Sequence, residues 1–202
     1  EKIAVTDTKK ENDLIIHFTD KLPADISSPA TAAVDWEDRL NITYNHSATH
    51  LMHAALRQVL GNHVAQKGSL VSADVLRFDF SHFAKVTDEE MAKVEAIVNE
   101  KIRENVPVVI KEMKKDEAVA LGAMALFGEK YGDVVRVVIM DPNYSVELCG
   151  GTHVGATGEL GLFKFTSESA VAAGVRRVEA VCGKQAEDYV NEQFGLLNGL
   201  KE

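Results

Sequence analysis

The sequence predicts an α+β fold, on three observations. Helical and strand patterns follow one another irregularly along the 202 residues, without the strict βαβ rhythm of a doubly wound sheet. Apolar residues make up 46% of the chain and charged residues 26%, a balance that supports a sizeable buried core. No apolar run approaches the ~20 residues of a membrane span, and Glu-Lys-Ile-Ala at the start lacks a signal peptide's hydrophobic stretch. The expected location is therefore cytoplasmic with no membrane partner, and the chain, beginning on Glu1 rather than Met, is expected to be a piece of a longer one.

In order, Ile3 to Val5 and Leu14 to Phe18 read as short strands separated by the polar Thr8–Asp13 stretch, before an irregular segment from Pro23 to Ala33. From Asn45 to Leu60 the pattern is helical, and Gly61 supplies the stop. Leu76 to Phe80 alternates as a half-buried strand. Thr87 to Glu90 is a capping box opening a helix through Met91, Val94, Ile97, Val98 and Ile102 that ends before Pro107. Val108–Met113 and Val134–Met140 read as strands around a short helix at Asp116–Gly122. Leu162–Phe165 and Val175–Val181 add two more strands, and a last amphipathic helix carries Ala186, Val190, Phe194 and Leu197.

Twenty-two Lys and Arg against 31 Asp and Glu leave a formal charge of −9, which disfavours wholesale phosphate binding. Two cysteines, Cys149 and Cys182, are too few for a disulfide framework. A lone Cys beside histidines points instead to metal or catalysis, whereas Cys182, with no His beside it, reads as a small core residue.

On a helical wheel turning ~100° per residue from His46, His50 falls near 40°, His53 near 340° and Arg57 near 20°. Ala48, Leu51, Met52, Ala55 and Val59 form the opposite, core-facing stripe, so the histidines are expected to face away from the core. Histidines at i and i+4 reach one metal ion. The zinc-protease spacing H-E-x-x-H is excluded because Ser47 stands where its Glu general base would be. A second half-site, Cys149-Gly150-Gly151-Thr152-His153, lies in a glycine-rich stretch that lets the backbone bend close to an ion. Thiolate plus imidazoles suits zinc better than magnesium or calcium. His53 is expected to orient a ligand or contact RNA, and His63 and His82 to be surface residues.

His46-Ser47-Ala48-Thr49-His50 with Leu51 to Leu56, Gln66-Lys67-Gly68-Ser69-Leu70, Arg77-Phe78-Asp79-Phe80, Cys149 to His153, and Gly174 to Val181 together resemble the editing domain of bacterial alanyl-tRNA synthetase. Related domains are the threonyl enzyme's second additional domain and the free-standing alanyl-tRNA editing proteins. The resemblance runs from about residue 43 to residue 183. It implies an editing-domain fold at 43–183, with 1–42 as a partial β-barrel remnant and 184–202 as a helix leading to a linker. It also implies a zinc-dependent hydrolase that cleaves the ester of tRNA for alanine mischarged with serine or glycine. The family's zinc ligands fall on His46, His50, Cys149 and His153; Gln66 falls beside the misattached amino acid and Thr49 on a position linked to serine recognition. Lys67, Arg77, Lys164, Arg176 and Arg177 are the expected contacts to phosphates near the acceptor end. The synthetase's ATP-binding core has no counterpart here, so tRNA and the rest of a parent synthetase are the expected partners, and ATP is not. Two rival readings stay open: a zinc-stabilised tRNA-binding module without chemistry, and a general zinc hydrolase acting on another ester or amide.

Overall fold

In the computed structural model, residues 1–125 and 132–200 are described, and they fall into two compact units, Glu1–Val34 and Asp35–Glu202. The first is an antiparallel hairpin of β1 (Val5–Glu11) and β2 (Leu14–Thr19). The strand expected at Ile3 to Val5 is thus displaced, and the polar Thr8-Lys9-Lys10-Glu11 that was read as a connection is the strand itself. Both faces of β1 are exposed, so polar side chains cost nothing there, and Thr8 Oγ1 lies 3.0 Å from His17 Nδ1 across the pair. The turn reduces to Asn12 and Asp13, with Asn12 in the left-handed region at φ 55°.

The second unit opens with α1 (Trp36–Leu60), which begins at Trp36 rather than Asn45. The Asp35 side chain accepts from the amides of Glu37 and Asp38, and this cap starts the helix before any apolar periodicity appears. Gly61, at φ 114°, ends it as expected. Then follow β3 (Gln66–Val71), β4 (Leu76–Ser81), α2 (Asp88–Arg103), β5 (Val108–Lys114), α3 (Lys115–Ala120), β6 (Val134–Met140), β7 (Ser145–Leu148), a 3-10 turn at Thr157–Leu160, β8 (Phe163–Ala172), β9 (Val175–Cys182) and α4 (Lys184–Gly199). The Thr87/Glu90 capping box of α2 is present in both directions. β8 continues seven residues past the expected Phe165, as an exposed arm of the β8–β9 hairpin.

The α+β class holds. One antiparallel sheet has the order β3-β4-β9-β8, the other β5-β6-β7. Helix α1 packs on α2 and on strands of both sheets, and Leu51, Met52, Leu56, Phe78, Phe80 and Phe163 are among the largest fully buried side chains of the main core. Strand β6 is apolar on both faces for a reason: Val138 and Met140 join that core, while Val135 and Val137 join a smaller cluster with Ala118, Val146 and Leu148. No helix among the described residues is long and apolar enough to cross a membrane.

Candidate metal centre

Helix α1 and the loop after β7 build the site from opposite sides. One ligand atom from each of His46, His50, Cys149 and His153 lies within 4.8 Å of all the others. Cys149 Sγ is 3.4 Å from His46 Nε2 and 3.4 Å from His153 Nε2. The rings of His46 and His153 lie 4.3 Å apart between centroids, and those of His50 and His153 4.6 Å. Arg136, the lone charge of β6, fixes the loop, donating from Nη1 to the carbonyls of Cys149 (2.6 Å) and Gly151 (2.9 Å). Gly151 is obligatory at this approach, because a Cβ there would overlap the His46 ring.

The expectation that the histidine face lies away from the core needs correcting. His50 and His53 are each only 5% exposed. The wheel separates the two faces correctly, but β7 and its loop cover the histidine side, so the helix is buried all round from His50 to Leu56. Burial, assisted by His50 and Arg136, lowers the His46 pKa to about 4. Burial likewise lowers His153 to about 2, and His50 is lowered by the same cause. At neutral pH all three imidazoles are therefore neutral, the form that binds metal.

Three residues of the site carried no sequence signal strong enough to be named for a role. Glu147, in β7, is 6% exposed, with Oε2 3.6 Å from His50 Nδ1 and Oε1 3.3 Å from His53 Nδ1. Burial opposes its charge, yet His50 and His53 hold its pKa below the ordinary carboxylate value. A carboxylate behind a ligating imidazole orients that ligand. Arg136 and Ser47 are the other two, Ser47 with its Oγ 3.1 Å from His153 Nδ1. An isolated charge inside an apolar strand, as at Arg136 in β6, is the signal that would have found that residue.

A cavity of about 200 Å³ adjoins the cluster, lined by Thr49, Gln66 and Phe78 together with His46, His50, His53, Glu147 and Cys149. Gln66 reaches it from β3, and the bulge between Gln66 and Gly68 turns the strand there. Thr49 Oγ1 donates to Asn45 O at 2.8 Å. Among the basic residues expected to meet tRNA, Lys164 pairs with Glu95 (2.6 Å), Arg176 with Glu168 (2.6 Å) and Arg177 with Asp79 in a two-pronged pair (2.6 and 2.7 Å). Lys67 is exposed and Arg77 half-buried. His63 and His82 lie outside the cluster, 2.9 Å from each other.

Cys182 is 1% exposed, and burial raises its thiol to about 12, so it is not nucleophilic near neutrality. Alkylation by iodoacetamide is expected to label Cys149 in metal-free protein, to be blocked there by added zinc, and to spare Cys182 throughout. Peptide mass mapping reads this directly, and preferential labelling of Cys182 would contradict the assignment.

Residues 135–179 match a family described as the threonyl and alanyl tRNA synthetase second additional domain. Over its full length it is 60% identical to an alanine–tRNA ligase of Cytophaga hutchinsonii and 57% identical to one of Parabacteroides distasonis, covering 23% of each. Over 198 residues it is 53% identical to an alanine–tRNA ligase of Salinibacter ruber, covering 20% of it. The chain thus spans a quarter or less of the length of these relatives.

Proposed function

We propose that this chain is the editing domain of an alanyl-tRNA synthetase, acting in the cytoplasm, and that it hydrolyses the ester linking serine or glycine to tRNA for alanine. The observation that carries this reading is the convergence of His46, His50, Cys149 and His153, the first three of which also line a small cavity with Thr49 and Gln66. The donor set fits zinc: one sulfur and three neutral imidazole nitrogens within 4.8 Å, with Gly151 giving the His46 ring its room. When bound, zinc supplies a Lewis acid beside the ester carbonyl. The cavity's volume of about 200 Å³ suits a small amino acid ester, being below the roughly 300–1,000 Å³ of pockets for drug-sized ligands.

Thr49 gives selectivity a physical basis. Its proton is committed to the Asn45 carbonyl, so its oxygen is left as an acceptor, and the hydroxyl of a seryl group donates to it. An alanyl group has no such proton, and size alone cannot reject alanine while accepting serine and glycine. Thr49→Val is expected to lower the serine-over-alanine preference by about tenfold, in line with the roughly 1–3 kcal/mol at stake when a buried polar group loses its partner, while Thr49→Ser retains it. Deacylation of the two charged tRNAs measures both, and an unchanged preference in Thr49→Val removes the residue from this role.

On the nucleic-acid side, Lys67, Arg77, Lys164, Arg176 and Arg177 are proposed to meet phosphates near the acceptor end. Lys164, Arg176 and Arg177 would first have to leave their carboxylates. With a charge of −9, the chain is expected to rely on a parent synthetase for most of its tRNA affinity. Four protein donors also satisfy a tetrahedral ion, which favours a second reading, a zinc-held module that presents the tRNA end without chemistry. Incubation with Ser-tRNA for alanine separates the two. Hydrolysis that stops on metal removal and returns with zinc supports the enzyme, and absence of hydrolysis by zinc-loaded protein supports the module.

A further inference from the structure

We infer that Ser47 is a positioning residue for the metal centre: its hydroxyl selects the ring tautomer of His153 and anchors the backbone that follows it. This rests on the metal-binding reading above. The argument is a count of protons and lone pairs. Ser47 is fully buried, and its Oγ has three neighbours: the Thr43 carbonyl at 2.9 Å, the Val154 amide at 3.1 Å and His153 Nδ1 at 3.1 Å. A hydroxyl carries one proton and two acceptor sites. The Thr43 carbonyl only accepts, so it takes the proton. The Val154 N–H only donates, so it fills one acceptor site. One acceptor site remains for His153 Nδ1, which must therefore be the nitrogen that carries a proton.

A neutral imidazole has a single ring proton, so Nε2 is left with its lone pair. That is the nitrogen 3.4 Å from Cys149 Sγ, where the four donors converge. The opposite tautomer would set two lone pairs against each other at 3.1 Å and point a proton at the ion. The bond from Val154 also clamps the loop to α1 one residue past the ligand, so a single hydroxyl fixes both the position and the protonation of His153. Ser47 also explains itself against the zinc-protease pattern. Its side chain is turned back to the carbonyl four residues earlier and is not available as a base.

The test uses zinc alone as the probe, with Ser47→Ala, His153→Ala and the double variant. Ser47→Ala is expected to weaken zinc binding by about 10–100-fold, the usual cost of losing the partner that orients a ligand. In the His153→Ala background the same substitution is expected to add almost nothing. Nitrogen-15 NMR of the metal-free protein is expected to show His153 protonated at Nδ1 in the wild type and shifted toward Nε2 in Ser47→Ala. Wild-type affinity in Ser47→Ala, or losses that multiply in the double variant, would overturn the inference. So would a wild-type His153 protonated at Nε2, which decides the matter even if Ser47→Ala fails to fold. Failure of the wild type to bind zinc would instead strike the metal reading, and the NMR result would still judge Ser47.

Discussion

Cys149→Ala is expected to leave the purified protein without its metal and to reduce deacylation of Ser-tRNA for alanine to background. The thiolate is the only donor of the four that brings a negative charge, and its sulfur sits 3.4 Å from the Nε2 atoms of both His46 and His153. Removing it leaves three neutral imidazoles, so the loss in zinc affinity should exceed the roughly 10–100-fold associated with an outer partner. The fold should survive. Cys149 is only half-buried, and its backbone bonds, from its amide to Arg136 O at 3.1 Å and from Arg136 to its carbonyl, do not involve the sulfur. Metal per chain by elemental analysis and a thermal melt test the two halves of this expectation. A variant that retains one zinc per chain would show that sulfur is not a ligand.

How far the sequence alone reaches can be judged from particular residues. The capping box at Thr87 and Glu90, the apolar run Val134–Met140 and the i, i+4 histidines were legible because each is a local pattern with a local cause. Strands β3 and β7 were not. Gln66-Lys67-Gly68-Ser69 lacks alternation because a bulge interrupts it, and Ser145–Leu148 is four residues buried at every position, too short to show a period. The pairing of Arg177 with Asp79 was equally hidden: it depends on the register of β4 against β9, which brings together residues 98 apart in sequence. Free-looking cations become structural ones for that reason. The roles of Ser47 and Glu147 are a product of the tertiary fold, since each acts on a group from a distant segment, whereas Arg136 acts on a loop only 13 residues further on.

The glycines of the second half-site make the most discriminating case, because they are adjacent and chemically identical. Gly151→Ala is expected to abolish tight metal binding, whereas Gly150→Ala is expected to leave it unchanged. A Cβ at Gly151 would overlap the Cε1 and Nδ1 atoms of His46, while one at Gly150 meets nothing within 4 Å. Neither party to the first collision can withdraw. The His46 ring is packed against those of His50 and His153, at 5.2 and 4.3 Å between centroids, and the loop is held by Arg136 at both Cys149 O and Gly151 O. Neither glycine is among those at positive φ, so alanine brings no backbone strain at either position. It should even stabilise the metal-free chain by up to about 1 kcal/mol where no clash intervenes, through a less disordered unfolded state. Zinc titration of the two variants, alongside melts of their metal-free forms, therefore separates damage to the site from damage to the fold. Equal zinc affinity in both would mean that His46 need not stand where it does, and would remove it from the ligand set.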